Sequence, residues 1–380
     1  MIYLDNAATT YPKPEQVYKA MDSANRNLAF NAGRGGYAVA RSATLLIDET
    51  KELLLRLVKA PLGSSVVLTP SITVALNEII QGVDIHEGDN IYVSPYEHNA
   101  VARVCELIAE SKHANVLQMP LIKDTLEIDI ELLKYQFSNK HPKLVCATHI
   151  SNVTGYILPV NEIFIEARKY SAINVLDTAQ SLGLIDVDAS SIGADFIAFA
   201  GHKTLYGPLG IGGFIVVGNA PKLNVVLAGG TGSDSLNLSM PSMVPGRYET
   251  ASMNIIAVSG LCAALKSLDR EKNFLFETTL TKETVKLLMN VPGLVLYCPN
   301  PDKHIAVISF NVEGYSSEDV GTLLDQDYGI AVRTGYHCAP YIHEHLQDSS
   351  FVGTVRVGIG QYTKEEDINK LCDALKDILE

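Results

Sequence analysis

"DFIAFAGHK", residues 195–203, carries five consecutive apolar residues and then stops on Gly-His-Lys. A helix lying on a core would interrupt such a run with polar residues, and a half-solvated strand would alternate. An unbroken short run is what a strand covered on both faces requires, as in a parallel sheet flanked by helices. The same signature recurs at "SVVLT" (65–69), "NIYVS" (90–94), "KLVCATHI" (143–150), "INVLD" (173–177) and "GGFIVVG" (212–218). Between these runs lie amphipathic segments long enough to be crossover helices, such as "ATLLIDETKELLLRLVKA" (43–60) and "AVARVCELIAESKHA" (100–114). This alternation predicts an α/β domain with a mostly parallel central sheet over residues 15–250. A helical stretch, "NIIAVSGLCAALKSLDREKN" (254–273), follows it, then strand candidates "HIAVISFNV", "GIAVRTG" and "GTVRVGIG". Residues 1–14 together with 251–380 are expected to form a smaller α+β domain. Its last helix is expected to open on a Thr363–Glu366 capping box, before the stripe Ile368, Leu371, Cys372, Leu375 and Ile378.

The chain has 380 residues, 47% of them hydrophobic, enough for two domains and a sizeable core. A formal net charge of −13 with no block of Lys or Arg argues against a nucleic-acid or anionic-membrane surface. The N-terminus "MIYLDNAATT" has no basic leader pattern, and no apolar run is long enough to span a bilayer, so a soluble cytoplasmic protein is expected. Of the six cysteines, Cys105, Cys262 and Cys372 lie in helical stripes, and Cys146 and Cys298 interrupt apolar runs; these five read as core. Their spread indicates reduced thiols rather than a disulfide framework. Cys338 is different. In "RTGYHCAP" (333–340) its neighbours are polar, cationic or conformationally permissive, and Arg333 and His337 stand where they could raise its thiolate fraction.

Ligands of open α/β sheets bind beyond the carboxyl ends of the strands, so the polar residues that end the apolar runs carry the functional information. They are Glu97 and His98, His149 and Asn152, Asp177 and Gln180, and His202 and Lys203. Asp177 would be costly to bury without a cationic partner, for which a protonated ring nitrogen would serve. Lys203 follows a buried strand and Gly201, and a desolvated lysine is the usual Schiff-base former with carbonyl compounds. In "SITVALNEII" (71–80) the hydroxyls of Ser71 and Thr73 and the free amides of a helix start could hold a phosphate. Taken singly, each has a plain reading: Asp177 or Ser71 as an N-cap, Lys203 as a loop charge, His98 as a structural histidine. Together, an imine-forming lysine, an acid for a ring nitrogen, a phosphate-ready helix start and a flat side chain for stacking describe a site for pyridoxal 5'-phosphate.

The motifs "LDNAATT", "EHNA", "SNVTG", "LDTAQS", "AGHKTLYGPLGIGG" and "RTGYHCAP" resemble, in order from residue 4 onward, those of the class V aminotransferase-like cysteine desulfurases, in particular the SufS-like and selenocysteine lyase group. The resemblance implies a fold type I, pyridoxal-phosphate-dependent homodimer that converts L-cysteine to L-alanine and keeps the sulfur as a persulfide. It implies that Lys203 carries the cofactor and later moves the α-proton, and that His98 stacks on the ring. Asp177 would pair with the ring nitrogen, Gln180 would approach the phenolic oxygen, and Thr73 and His202 would bind the phosphate. Ser252, in "GRYETASMN", would reach the partner subunit's phosphate. Asn152 and Arg356 would hold the substrate carboxylate, and Cys338, on a mobile glycine-containing loop, would be the nucleophile that takes the sulfur and passes it to a protein acceptor, as in iron-sulfur cluster assembly or another sulfur pathway.

Several positions depart from the family pattern: Ile72 and Val74 stand where threonine and glutamate are usual, Tyr37 for a histidine, and Ala200 for a serine. These leave open the phosphate contacts and the choice between L-cysteine and L-selenocysteine, so a selenocysteine lyase or another lyase or epimerase on the same scaffold is the alternative. A zinc module built from His337, Cys338, His343 and His345 fits no standard spacing. "GPLGIGG" lacks the fingerprint of a nucleotide-binding loop.

Overall fold

The computed structural model describes residues 1–33, 36–232 and 236–380. The strands, in chain order, are β1 (Ile2–Tyr3), β2 (Ser65–Thr69), β3 (Asn90–Val93), β4 (Asn115–Gln118), β5 (Pro142–Thr148), β6 (Ile173–Asp177), β7 (Phe196–Ala200), β8 (Gly212–Val216), β9 (Leu294–Leu296), β10 (Val307–Val312), β11 (Ile330–Ala331), β12 (Arg333–Gly335) and β13 (Thr354–Gly358). Strands β2 to β8 make one seven-stranded sheet in the order β2-β8-β7-β6-β5-β3-β4. Strands β3 to β7 run parallel, and β8 is antiparallel to both of its neighbours.

The apolar run at 196–200 now has its reason. Successive side chains of a strand point to opposite faces: Ile197 and Phe199 enter the core on one face of the sheet, with Leu176 and Ile215, while Phe196 and Ala198 enter the core on the other, with Val175 and Phe214. A polar residue at any of these positions would be buried against helices.

The second sheet, β12-β13-β10-β9, is antiparallel. Its Ile308, Phe310, Val355 and Val357 form a separate core with Leu371, Leu375 and Leu280 of the helices Glu365–Leu379 and Arg270–Leu288. The N-terminus joins this side, because β1 pairs in parallel with β11, Ile2 opposite Ile330.

Two local expectations are corrected. The segment 254–273 is not one helix: Ile255–Ser267 ends, and Asp269 caps a new helix, Arg270–Leu288, by accepting the Lys272 N–H at 3.1 Å. The first of these helices lies against Glu15–Asn27 and Ala38–Leu57, and its Val258, Leu261 and Leu265 belong to the core of the large sheet, so packing crosses the sequence boundary at residue 250. The Thr363–Glu366 box is also absent. Thr363 Oγ1 accepts the Gly360 N–H at 3.0 Å, and the helix starts one residue later, where the Asp367 carboxylate accepts the Lys364 N–H at 2.9 Å. Among the described residues no helix is long and apolar enough to cross a membrane.

Because Leu261 is fully buried and Leu275 is 69% exposed, Leu261→Ala should cost about 2–5 kcal/mol and Leu275→Ala at most about 0.5 kcal/mol. Urea denaturation midpoints of the two variants check this.

Candidate active site

Parallel strands share one carboxyl edge, and β3, β5, β6 and β7 deliver the residues expected there. β7 ends at Ala200, and Gly201 makes the turn into His202 and Lys203. A side chain at Gly201 would put its Cβ 2.7 Å from the Ile211 carbonyl, to which the Gly201 N–H donates at 3.0 Å. The turn is then fastened by the N-terminal segment. The His202 carbonyl accepts from Lys13 Nζ at 2.6 Å, Thr9 Oγ1 at 3.1 Å and the Thr10 N–H at 3.2 Å, and the Lys203 carbonyl accepts from Thr10 Oγ1 at 3.1 Å. Sequence reasoning did not assign Lys13 a role. Burial alone pushes its amine down to about 7.

Lys203 projects into a mixed electrostatic field. Burial pushes its amine down to about 8, Asp177 opposes that shift, and Arg356 and Arg333 add to it. Asp177 is buried, its Oδ1 accepting the Ala179 N–H at 2.8 Å, and burial raises its carboxyl above the ordinary range despite Lys203. It lacks a full cationic partner. Gln180 Nε2 donates to the Ala7 carbonyl at 2.8 Å, which ties the same strand end to the N-terminal segment.

His98 is the N-cap of helix Asn99–Lys112, its Nδ1 accepting the Ala100 N–H at 3.0 Å. The plain structural reading is therefore true, and it has a chemical consequence. Burial first, then Lys203 and the arginines, push the ring down to about 4, so it is neutral with its proton on Nε2. His202 is likewise held near 4 by burial and Lys203, and its buried Nδ1 has no partner among the described residues. Beside His98, Glu97 is fully buried: it accepts from Ser94 Oγ at 2.5 Å and the Thr148 N–H at 2.6 Å, and burial pushes it up to about 8.

Arg356, on β13, is 1% exposed. Its Nη2 donates to Asp5 Oδ1 at 2.7 Å and its Nη1 to the Asn152 carbonyl at 3.0 Å, while Nε has no partner among the described residues. Asn152 turns its side-chain amide to the His337 carbonyl at 2.8 Å, so it touches the cysteine turn as well. Asp5, missed as a site residue, was visible as the acid ending the apolar start "MIYLD".

Cys338 is the one cysteine of the six that is not buried. The turn that carries it has a defined, hydrogen-bonded backbone. His337 and Cys338 both have positive φ, 46° and 57°, and the Ala339 N–H closes the turn on the Tyr336 carbonyl at 3.0 Å. Non-glycine residues there cost on the order of 1–3 kcal/mol each and persist only where their surroundings hold them. The holds are present: Asn152 Nδ2 on the His337 carbonyl, and the Asn99 N–H on the Cys338 carbonyl at 2.6 Å. Gly353 packs so tightly beneath that a Cβ would lie 2.4 Å from Gly335 C. Of the two expected cations beside the thiol, one is lost. Arg333 Nη2 sits 3.5 Å from Cys338 Sγ, but His337 turns away to Thr354, and burial pushes it down to about 2.

The rival readings lose their geometry. Both ring nitrogens of His343 are taken, by Asp348 and by the Tyr336 carbonyl, and the described residues contain no metal-ready group of His, Cys, Asp and Glu. Gly212 and Gly213 are strand residues of β8, not a nucleotide loop. Two further expected cofactor residues, Thr73 and Ser252, are on the surface. Thr73 is an exposed residue of helix Ile72–Gly82, whose N-cap is Ser71, and Ser252 is exposed just before helix Ile255–Ser267.

A mostly parallel sheet with its lysine and aspartate at adjacent strand ends is the architecture of the class V aminotransferases, and residues 2–371 match that family; the chain belongs to it. Within the family it is similar to proteins named as cysteine desulfurases. A probable cysteine desulfurase of Halalkalibacterium halodurans is 33% identical over 99% of this chain and 92% of its own length. A cysteine desulfurase of Pectobacterium carotovorum is 31% identical over 100% and 93%. The solved cysteine desulfurase of Thermococcus onnurineus superposes with a TM-score of 0.89 at 29% identity, covering 99% of this chain and 94% of that one.

In the cofactor-free chain, acylation of Lys203 should rise with pH around a midpoint near 8 instead of the ordinary 10.5. Asp177 holds the amine charged, so Asp177→Ala should move that midpoint lower. Peptide mass spectrometry across a pH series reads both; a midpoint that rises in the variant would contradict the pairing.

Proposed function

We infer that this chain is a pyridoxal-phosphate-dependent cysteine desulfurase that takes the sulfur of L-cysteine onto Cys338 and leaves L-alanine. The observation that carries this reading is the meeting, at one sheet edge, of a desolvated strand-end lysine, a buried acid that acts on it and the single unburied thiol.

The residues fit the cofactor. Asp177 would face its ring nitrogen, Gln180 its phenolic oxygen and His98 its ring, and Thr73 and His202 would take the phosphate with Ser252 from the partner subunit. The unpartnered buried His202 Nδ1 and Ser181 Oγ are polar atoms that a bound polar group would satisfy. The bound group supplies an aldehyde for the lysine amine and a ring that accepts electrons when the substrate loses its α-proton. The chain supplies the rest. Lys203, once released, moves that proton, as its lowered amine allows near neutral pH. Arg356 and Asn152 hold the substrate carboxylate, Arg356 with an Nε still free to donate. Arg333 Nη2 donates towards Cys338 Sγ at 3.5 Å, and Cys338, as its thiolate, attacks the substrate sulfur. The balance is Cys338–SH plus L-cysteine giving Cys338–S–SH plus L-alanine, with no external oxidant.

The same reading makes the enzyme a cytoplasmic homodimer serving a protein sulfur acceptor, in iron-sulfur cluster assembly or another sulfur pathway. The exposed apolar residues Leu236, Leu238 and Met243, on the segment leading to Ser252, support a second subunit there.

Single-turnover alanine release from L-cysteine, without added thiol, tests the reading. Wild type should release alanine and gain one sulfur by intact mass, and Cys338→Ser should do neither. If wild type binds the cofactor but acts only on L-selenocysteine, the substrate assignment moves there. Lys203→Ala should lose both visible absorbance and turnover, and Arg356→Ala should chiefly raise KM.

A further inference from the structure

The mirror-image turn at Tyr336–Ala339 is not held by packing on all sides. A cavity of about 440 Å³, lined by Asn99, Tyr336, Cys338, Ala339, His343 and Asp348 among others, adjoins it. Across that gap one side chain reaches the turn: His343 Nε2 lies 2.9 Å from the Tyr336 carbonyl, the oxygen that also closes the turn. The other ring nitrogen, Nδ1, meets the carboxylate of Asp348, and both residues are buried. A carbonyl can only accept. Nε2 must therefore carry a proton, whether the extra proton of the pair resides on the ring or on Asp348. Asp348 fixes the ring, and the ring fixes the peptide one residue before the strained pair His337 and Cys338.

We propose that His343, oriented by Asp348, is a positioning residue that holds the Cys338 turn in its sulfur-accepting geometry. This rests on the reading of Cys338 as the sulfur acceptor. His343 touches neither cofactor nor substrate, and acts by keeping the Tyr336 carbonyl, and with it the thiol beside Arg333, in place. Misplacing a reacting group by about 1 Å can cost on the order of a hundredfold in rate.

Side-chain length separates this role from simple packing. The amide nitrogen of Gln can stand where Nε2 stands, and that of Asn only where Nδ1 stands. In the cofactor-loaded enzyme, His343→Gln should keep single-turnover sulfur transfer within about threefold, whereas His343→Asn should lower it roughly tenfold to a hundredfold. KM and visible absorbance should be unchanged in both. Asp348→Asn can still donate to Nδ1 and leave Nε2–H on the carbonyl, so it should follow the Gln variant and serves if His343→Asn does not fold. Equal loss in His343→Gln and His343→Asn, equal retention in both, or loss in Asp348→Asn with His343→Gln intact would overturn the proposal. Cys338→Ser is the control: if it still transfers sulfur, the reading of Cys338 fails instead.

Discussion

A buried guanidinium organises this molecule. Arg356 lies on the small sheet, receives its carboxylate from Asp5 near the N-terminus, and donates to the Asn152 carbonyl beyond β5 of the large sheet. An arginine removed from water without partners costs several kcal/mol, so these three distant parts of the chain are favoured only in company. The short β1–β11 pairing brings Asp5 there, and the bridge of Asp5 to Gly358 sets it beside β13. Burial lowers the Lys203 amine and the His98 ring, and the Arg356 charge adds a smaller push in the same direction to both.

The cysteine turn shows a second economy. A mobile loop would let a thiol reach substrate and acceptor in turn, at the cost of fixing it each time. Here the conformational cost is already met in the folded state, by hydrogen bonds to the carbonyls of Tyr336, His337 and Cys338. Cys338 is presented, partly exposed, on a turn whose backbone is satisfied. Preorganisation of this kind removes the cost of ordering the turn when a reaction partner arrives.

Much of this was legible in the sequence. The apolar runs that became β2, β3, β5, β6, β7 and β8 are buried on both faces, so burial wrote itself into composition. β4, "NVLQ", was missed, since an edge strand that is only half-buried needs no apolar run. Asp177, Lys203, His98 and Cys338 stood out because strand ends and the odd cysteine are informative positions. Asp5 and Lys13 did not, and His343 stood out only as a candidate zinc ligand, because their contacts lie with partners far away in the chain or with a carbonyl that sequence does not display. The left-handed φ of His337 and Cys338 was hidden for a related reason: neither is a residue type that advertises such a turn.

The charge states close the argument. Four histidines near the strand ends and the cysteine turn, His98, His149, His202 and His337, are pushed down by burial, to about 4, 4, 4 and 2, so none adds a cation at neutral pH. The cations whose charge acts on His98 and His202 are Lys203, Arg333, Arg356, Arg103 and Lys13. Burial keeps the four histidines neutral and raises the Asp177 carboxyl above its ordinary range.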